Sequence, residues 1–285
     1  MITSDKIKAF IKLKSSSKLI PVNIILRSVI FEFFLEKLAL SQYSKHFVIK
    51  GGFLVSSITN ISLRTTMDLD VTLKSLTLNQ EFMTKCLNEI IHIDTHEELS
   101  MELIKIEDIR NDADYPGLRA TIIVLFDGIK ESIKIDFTTG DVMTPSEVDF
   151  HYQSILDQRL IKLKSYNIET ILAEKMETIY SRGILNTRMR DYYDVHILWS
   201  LKQDSMNNII LKNAFNRTIE YRQTSKFIKT NMQSIIESIE HESSMISKWI
   251  SYQQYYSYAS LVSWNDVIMS IKSISNVFSL NMQNL

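Results

Sequence analysis

The chain has 285 residues, 45% of them hydrophobic, a formal net charge of −1 and a pI of about 6.6. That length suits one large domain or two ordinary ones, and near-neutrality argues against a chain that coats nucleic acid by charge alone. The single Cys86 excludes an intramolecular disulfide and a cysteine-built zinc site.

No apolar run reaches the roughly 20 residues that span a bilayer, and the segment MITSDKIKAFIKLKSSSK lacks the apolar core of a signal peptide. A cytoplasmic protein with no membrane association is expected. In chain order, residues 5–13 have a helical rhythm that Ser15-Ser16-Ser17 breaks, and Pro21 opens a second, largely buried helix to about Ala39. Strand 47–50 follows, then a short helix after Gly51-Gly52, strand 68–74, and a helix over 80–92 capped by Asn79. Strands are expected at 101–106, 119–126 and 131–137, the last two joined by the hairpin signal Asp127-Gly128. A further strand lies near 160–163. Asn167 then caps a helix to about Arg182, stopped by Gly183. Beyond it only helices are expected: from 187–189 through Trp199, then 207–222, 224–239, 242–260 and 264–277. The first half therefore reads as α/β on a mixed sheet, the second as helical, with the boundary around 150–165.

Chemistry concentrates at a few places. Asp68 and Asp70, at i and i+2 on a strand, point to one face. Both carboxylates can grip a hard divalent cation, Mg²⁺ or Mn²⁺, which usually shares its shell with substrate phosphates. Gly51-Gly52 ahead of a helix offers backbone N–H groups to those phosphates, so the pattern describes metal-assisted chemistry on a nucleoside triphosphate. Lys134-Ile135-Asp136-Phe137 would bring a third carboxylate to a two-metal site, although KxD also fits a solvated alternating strand. Lys175, Arg190, Asp191 and Asp194 suit a phosphate clamp with carboxylates orienting the cations; acidic first-turn residues and ordinary helix ion pairs are the plainer reading.

Four motifs, in order, resemble the AbiEii/AbiGii toxin family of the nucleotidyltransferase superfamily: Lys50-Gly51-Gly52; Arg64-Thr65-Thr66-Met67-Asp68-Leu69-Asp70; Lys134-Ile135-Asp136 with the following run to Pro145; and Lys175 with Arg190-Asp191-Tyr192-Tyr193-Asp194. The match covers 47 to about 200 and departs at Phe53, where the family often has a small hydroxyl residue. The resemblance implies an α+β fold: a nucleotidyltransferase-like mixed-sheet domain over 1–160 with N-terminal helices, and a helical domain over 161–285 that completes the active-site cleft. It implies Asp68, Asp70 and Asp136 as metal ligands, Asp136 also as a base, and Gly51, Gly52, Thr66 and Lys175 as phosphate contacts. Lys50 and Lys134 join the nucleotide-binding set. Arg190, Asp191 and Asp194 form the far wall, and Arg64 is either phosphate-facing or structural. The expected activity is transfer of a nucleoside monophosphate from an NTP to a hydroxyl, at the tRNA 3′ end, by a toxin with a cognate antitoxin in a phage-defence or plasmid-maintenance setting. Protein-directed nucleotidylation, phosphotransfer and a non-catalytic NTP-binding module are the alternatives.

Other features read as structural. His92 and His96 lack a zinc-protease frame and suit a surface or capping role. The tyrosines at 252, 255, 256 and 258 suit a helical core stripe better than base stacking. The lysine-rich N-terminus suits a solvated face better than an RNA grip.

Overall fold

The computed structural model describes residues 3–18, 21–61, 66, 68–95, 98–109 and 117–279, and the chain divides into two compact units. Arg64, Thr65, Met67 and His96 lie outside the described residues.

The first unit comprises residues 1–141 and 148–165. Its elements are α1 (Ser4–Lys18), α2 (Val22–Leu40), β1 (Phe47–Lys50), α3 (Gly51–Thr59), β2 (Asp68–Leu73), α4 (Gln80–Ile91), β3 (Ser100–Ile109), β4 (Gly117–Phe126), β5 (Ile129–Thr139), β6 (Val148–Gln153) and β7 (Leu160–Ser165). Among the described residues the sheet has seven strands in the order β3-β4-β5-β2-β1-β7-β6. It is mixed: β2 runs parallel to β5 and β1 parallel to β7, and the other neighbours are antiparallel.

Alternation divides the sheet cleanly between its two faces. Phe47, Ile49, Leu69, Val71, Ile135, Phe137, Ala120 and Ile122 share the apolar face and are fully buried, with Phe47 edge-on to Phe137 at 5.7 Å. Helices α2 and α4 pack against each other and against the sheet. The opposite face carries Lys50, Asp70, Thr72, Asp136, Thr138 and Arg119. The Asp127-Gly128 turn has positive φ at both positions, 45° and 76°, which is the twist a two-residue hairpin requires.

In this unit the structure departs from expectation at two elements. α1 continues through the serines to Lys18, since serine costs a helix only a few tenths of a kcal/mol more than the better formers and cannot by itself stop one. β6 was not expected: it is an edge strand with only Tyr152 buried, so its hydrophobic alternation is too thin to read. The sequence also gives no hint of Glu32, fully buried within α2. Its carboxylate accepts from the Ile155 N–H at 2.8 Å, the Tyr152 hydroxyl at 3.2 Å and the Ser154 hydroxyl, fastening α2 to the β6–β7 connection. Burial raises its pKa, and the three hydrogen bonds oppose the rise.

The second unit, residues 142–147 and 166–285, is helical: α5 (Ile168–Arg182), α6 (Met189–Lys202), α7 (Asn208–Tyr221), α8 (Ser225–His241), α9 (Ser243–Tyr255) and α10 (Trp264–Ser279). Asn167 caps α5, accepting from the Thr170 N–H at 3.0 Å, and Gly183 ends it at φ 50°. The long helix expected to reach residue 260 stops at Tyr255, and a short 3-10 turn follows. Tyr180, Phe215 and Phe278 form the aromatic core, the last two stacked at 3.8 Å. No helix among the described residues is long and apolar enough to cross a membrane.

Candidate active site

On the polar face of the sheet, register sets one transverse row of charge. Lys50 on β1 is opposite Asp70 on β2, Asp70 opposite Asp136 on β5, and Asp136 opposite Arg119 on β4. Asp68, two residues before Asp70, points to the same face and is opposite Lys134, which is exposed. The three expected carboxylates therefore do share one face on two neighbouring strands.

Arg119 ties them together. Its Nε donates to Asp136 Oδ1 at 2.6 Å and its Nη2 to Asp136 Oδ2 at 2.7 Å, a bidentate fork, while Nη2 also reaches Asp68 Oδ2 at 3.5 Å. The hydrogen bonds to Asp136 press the guanidinium further into its charged form, against the pull of partial burial.

Asp70 behaves differently. Burial raises its pKa, the Lys50 charge lowers it, and Asp136 and Asp68 raise it again; the Gly52 N–H donates to its carboxylate and favours the ionised form. Gly51 makes this approach possible. Its φ is +67°, and a Cβ there would lie 2.0 Å from Asp70 Oδ2. The Lys50 ammonium donates to Asp141 Oδ2 at 2.6 Å and to Thr138 Oγ1 at 2.7 Å. Burial works to raise the Asp141 pKa, yet Lys50 and the Thr138 and Thr72 hydroxyls hold it below the ordinary value. Thr66 donates its hydroxyl to the Asp68 carbonyl at 2.8 Å and lines a cavity of about 530 Å³ walled by α1, α2, α3 and β6.

Four carboxylates (Asp68, Asp70, Asp136, Asp141) thus meet two cations, Lys50 and Arg119. The carboxylates outnumber the cations even when exposed Lys134, opposite Asp68, is counted, and the donors are the oxygens that Mg²⁺ and Mn²⁺ prefer. The residues fit such an ion chemically. No group of three or more His, Cys, Asp or Glu among the described residues forms a ready-made cage, and magnesium commonly takes one or two carboxylates with substrate phosphates completing its shell.

The second unit holds its own cluster. Lys175 on α5 donates to Asp191 Oδ1 at 2.8 Å and pairs with Asp194 Oδ2 at 2.7 Å, both on α6. Arg188 Nε lies 3.1 Å from Asp191 Oδ2. Arg190 turns to the tyrosines: its guanidinium lies 5.4 Å from the Tyr256 ring centroid and donates to the Tyr256 hydroxyl at 3.3 Å. Of those tyrosines, Tyr252 is buried and Tyr255 exposed, so only part of the run is core.

Sequence reasoning left Arg119, Asp141 and Arg188 without roles. For Arg119 the signal was present. A two-residue turn puts Phe126 opposite Ile129, so seven steps back from one and seven on from the other place Arg119 opposite Asp136.

The profile of the nucleotidyl transferase AbiEii toxin family, of type IV toxin–antitoxin systems, matches residues 34–260. The chain belongs to this family. As an AbiEii-family protein it is assigned to the nucleotidyltransferase toxins, and membership implies a nucleotide substrate and an antitoxin partner. No curated protein matches the chain. Among solved structures it is similar to JHP933 from Helicobacter pylori, at 14% sequence identity and TM-score 0.52, over 91% of this chain and 93% of that one. An antigenic nucleotidyltransferase-like protein from Paracoccidioides brasiliensis aligns at 13% identity and TM-score 0.41, over 70% of this chain and 91% of that one. At such identity the first likeness concerns the fold: a mixed sheet followed by helices, as the AbiEii resemblance implied.

Proposed function

We propose that this AbiEii-family chain transfers a nucleoside monophosphate from an NTP to an acceptor hydroxyl, with Mg²⁺ or Mn²⁺ bound by Asp68, Asp70 and Asp136. The acceptor oxygen bonds to the α-phosphorus, the bond from that phosphorus to the pyrophosphate oxygen breaks, and the hydroxyl proton passes to a base, for which Asp136 is the candidate. The observation that carries this reading is the row of charge across β1, β2, β5 and β4, in which carboxylates outnumber cations. When bound, the cation supplies charge neutralisation for the phosphates and lowers the pKa of the attacking hydroxyl. The Gly51 amide, at the start of α3, is suited to a phosphate oxygen, whereas the Gly52 amide is given to the Asp70 carboxylate and would reach a phosphate only by leaving it. Lys175, Arg190, Asp191 and Asp194 serve the same reaction in this reading, Lys175 as a phosphate-facing charge held by its two aspartates. The choice of the tRNA 3′ end as acceptor rests on the family resemblance.

The experiment is incubation of the purified protein with total tRNA, Mg²⁺ and each α-labelled NTP in turn, resolved on a denaturing gel. Label on tRNA from one NTP, absent in Asp70→Asn, is the expected result and names the donor. Label on protein from an α-labelled NTP replaces the acceptor. Label only from the γ-position replaces the reaction with phosphotransfer, and no transfer with any acceptor overturns the enzymatic reading.

A further inference from the structure

The row of charge does not end at Arg119. Beyond it, on β3, Glu107 is directly opposite Arg119, so Arg119 stands between two acidic positions on the same sheet face: Asp136 on β5 and Glu107 on β3. At present it sits on Asp136, through two hydrogen bonds of 2.6 and 2.7 Å, and touches Asp68. Glu107 is partly exposed and engaged by Lys105 at 2.6 Å. The hairpin has no need of the Arg119–Asp136 bond to hold its shape, because β4 and β5 are in register from Leu118–Phe137 to the turn at Phe126–Ile129.

We propose that Arg119 is a positioning residue that competes with the divalent cation for Asp136 and Asp68, and that Glu107 receives its guanidinium when the cation binds. This rests on the reading of those aspartates as metal ligands. In the metal-free state the guanidinium holds two mutually repelling carboxylates in place, so that the site keeps its geometry between turnovers. A carboxylate oxygen engaged by a guanidinium proton offers less charge to an incoming ion, so the ion must displace that fork. The neighbouring carboxylate lowers the cost of the move by giving the arginine a second partner on the same face.

The test is Mn²⁺ binding to the full chain without nucleotide, followed by electron paramagnetic resonance of the free ion. Arg119→Gln should bind Mn²⁺ roughly tenfold tighter or more, since one adjacent positive charge is gone. Arg119→Lys, which keeps the charge but loses the fork, should fall between. Glu107→Gln, an exposed change on a paired strand, should bind more weakly, because the arginine loses its second resting place. A merely structural arginine would give the opposite sign: its loss would disorder the carboxylates and weaken binding. Unchanged or weaker Mn²⁺ binding in Arg119→Gln, or unchanged binding in Glu107→Gln, overturns the inference and leaves the metal reading intact. If Arg119→Gln does not fold, Arg119→Lys and Glu107→Gln decide by the same criteria. Absence of Mn²⁺ binding in the wild-type chain and every variant, with or without NTP, overturns the metal reading and this inference with it.

Discussion

In the sheet unit, Asp68, Asp70, Asp136 and Asp141 face Lys50 and Arg119; in the helical unit, Asp191 and Asp194 face Lys175 and Arg188. In the first set carboxylates outnumber cations, even with exposed Lys134 opposite Asp68 counted; in the second they do not. The helical cluster satisfies itself: Asp194 is fully buried, and an ionised carboxylate is tolerable there because an ammonium lies 2.7 Å away. The sheet cluster does not, and the burial and neighbours that raise the pKa of Asp70 are the signs of that imbalance. A protein that keeps like charges together without full compensation gives up stability for function. Stability and activity should therefore respond with opposite signs in one cluster and with the same sign in the other.

The largest effect is expected at Asp70. Asp70→Asn should lower nucleotidyl transfer by roughly a hundredfold or more while leaving the thermal midpoint unchanged or raised, because it removes one of the uncompensated charges. A clear fall in the midpoint would break the distinction between the clusters. Lys175→Met comes next. It removes the cation from two buried aspartates and should cost about 3–5 kcal/mol, seen as an earlier midpoint in urea; an unshifted midpoint would show that the helical cluster is not self-compensating. Gly51→Ala sharpens the contrast within the sheet unit. Its positive φ and the contact with Asp70 should cost about 1–3 kcal/mol, with activity falling further than stability because Asp70 is the group displaced. The smallest effect is a pH dependence in the helical unit. His196 on α6 pairs with the Ser270 hydroxyl at 2.9 Å, and burial lowers its pKa below 6.5, against the pull of Asp266. The unfolded chain then holds this proton more tightly than the folded one. The stability linked to the neutral ring is complete above pH 6.5 and is lost as pH falls through the folded pKa. The fall in thermal midpoint between pH 7.5 and 5.5 should be smaller in His196→Gln than in the parent chain.

The sheet core, the helices and the three acidic positions were legible because each rests on local periodicity. Asp68 and Asp70 differ by two, Ile135 and Phe137 alternate with Lys134 and Asp136, and Asp127-Gly128 marks its own turn. What escaped depends on partners distant in the chain. Asp141 stood in view within a recognised run, but only the fold brings Lys50 to it across 91 residues. Glu32 looks like an error in an apolar helix until Ser154 and Ile155 supply its donors. The edge strand β6 has little buried surface and so little pattern. Arg190 is placed by its charge and by the family motif, and spacing gives no sign of its Tyr256 neighbour.

The Arg119–Asp136 pair has a consequence for the order in which this unit assembles. Those two residues are 17 apart and joined by a tight turn, whereas β2 meets β5 only by closing a span of 66 residues, as the Thr72–Thr138 contact shows. Short loops close first because they forfeit less chain entropy. The third carboxylate should therefore arrive at the forming sheet with its counter-ion already attached, and the parallel strand carrying Asp68 and Asp70 should dock onto a hairpin that is locally neutral. Pulse-labelled hydrogen exchange during refolding should protect β4 and β5 amides before those of β2, and the reverse order would remove this kinetic role.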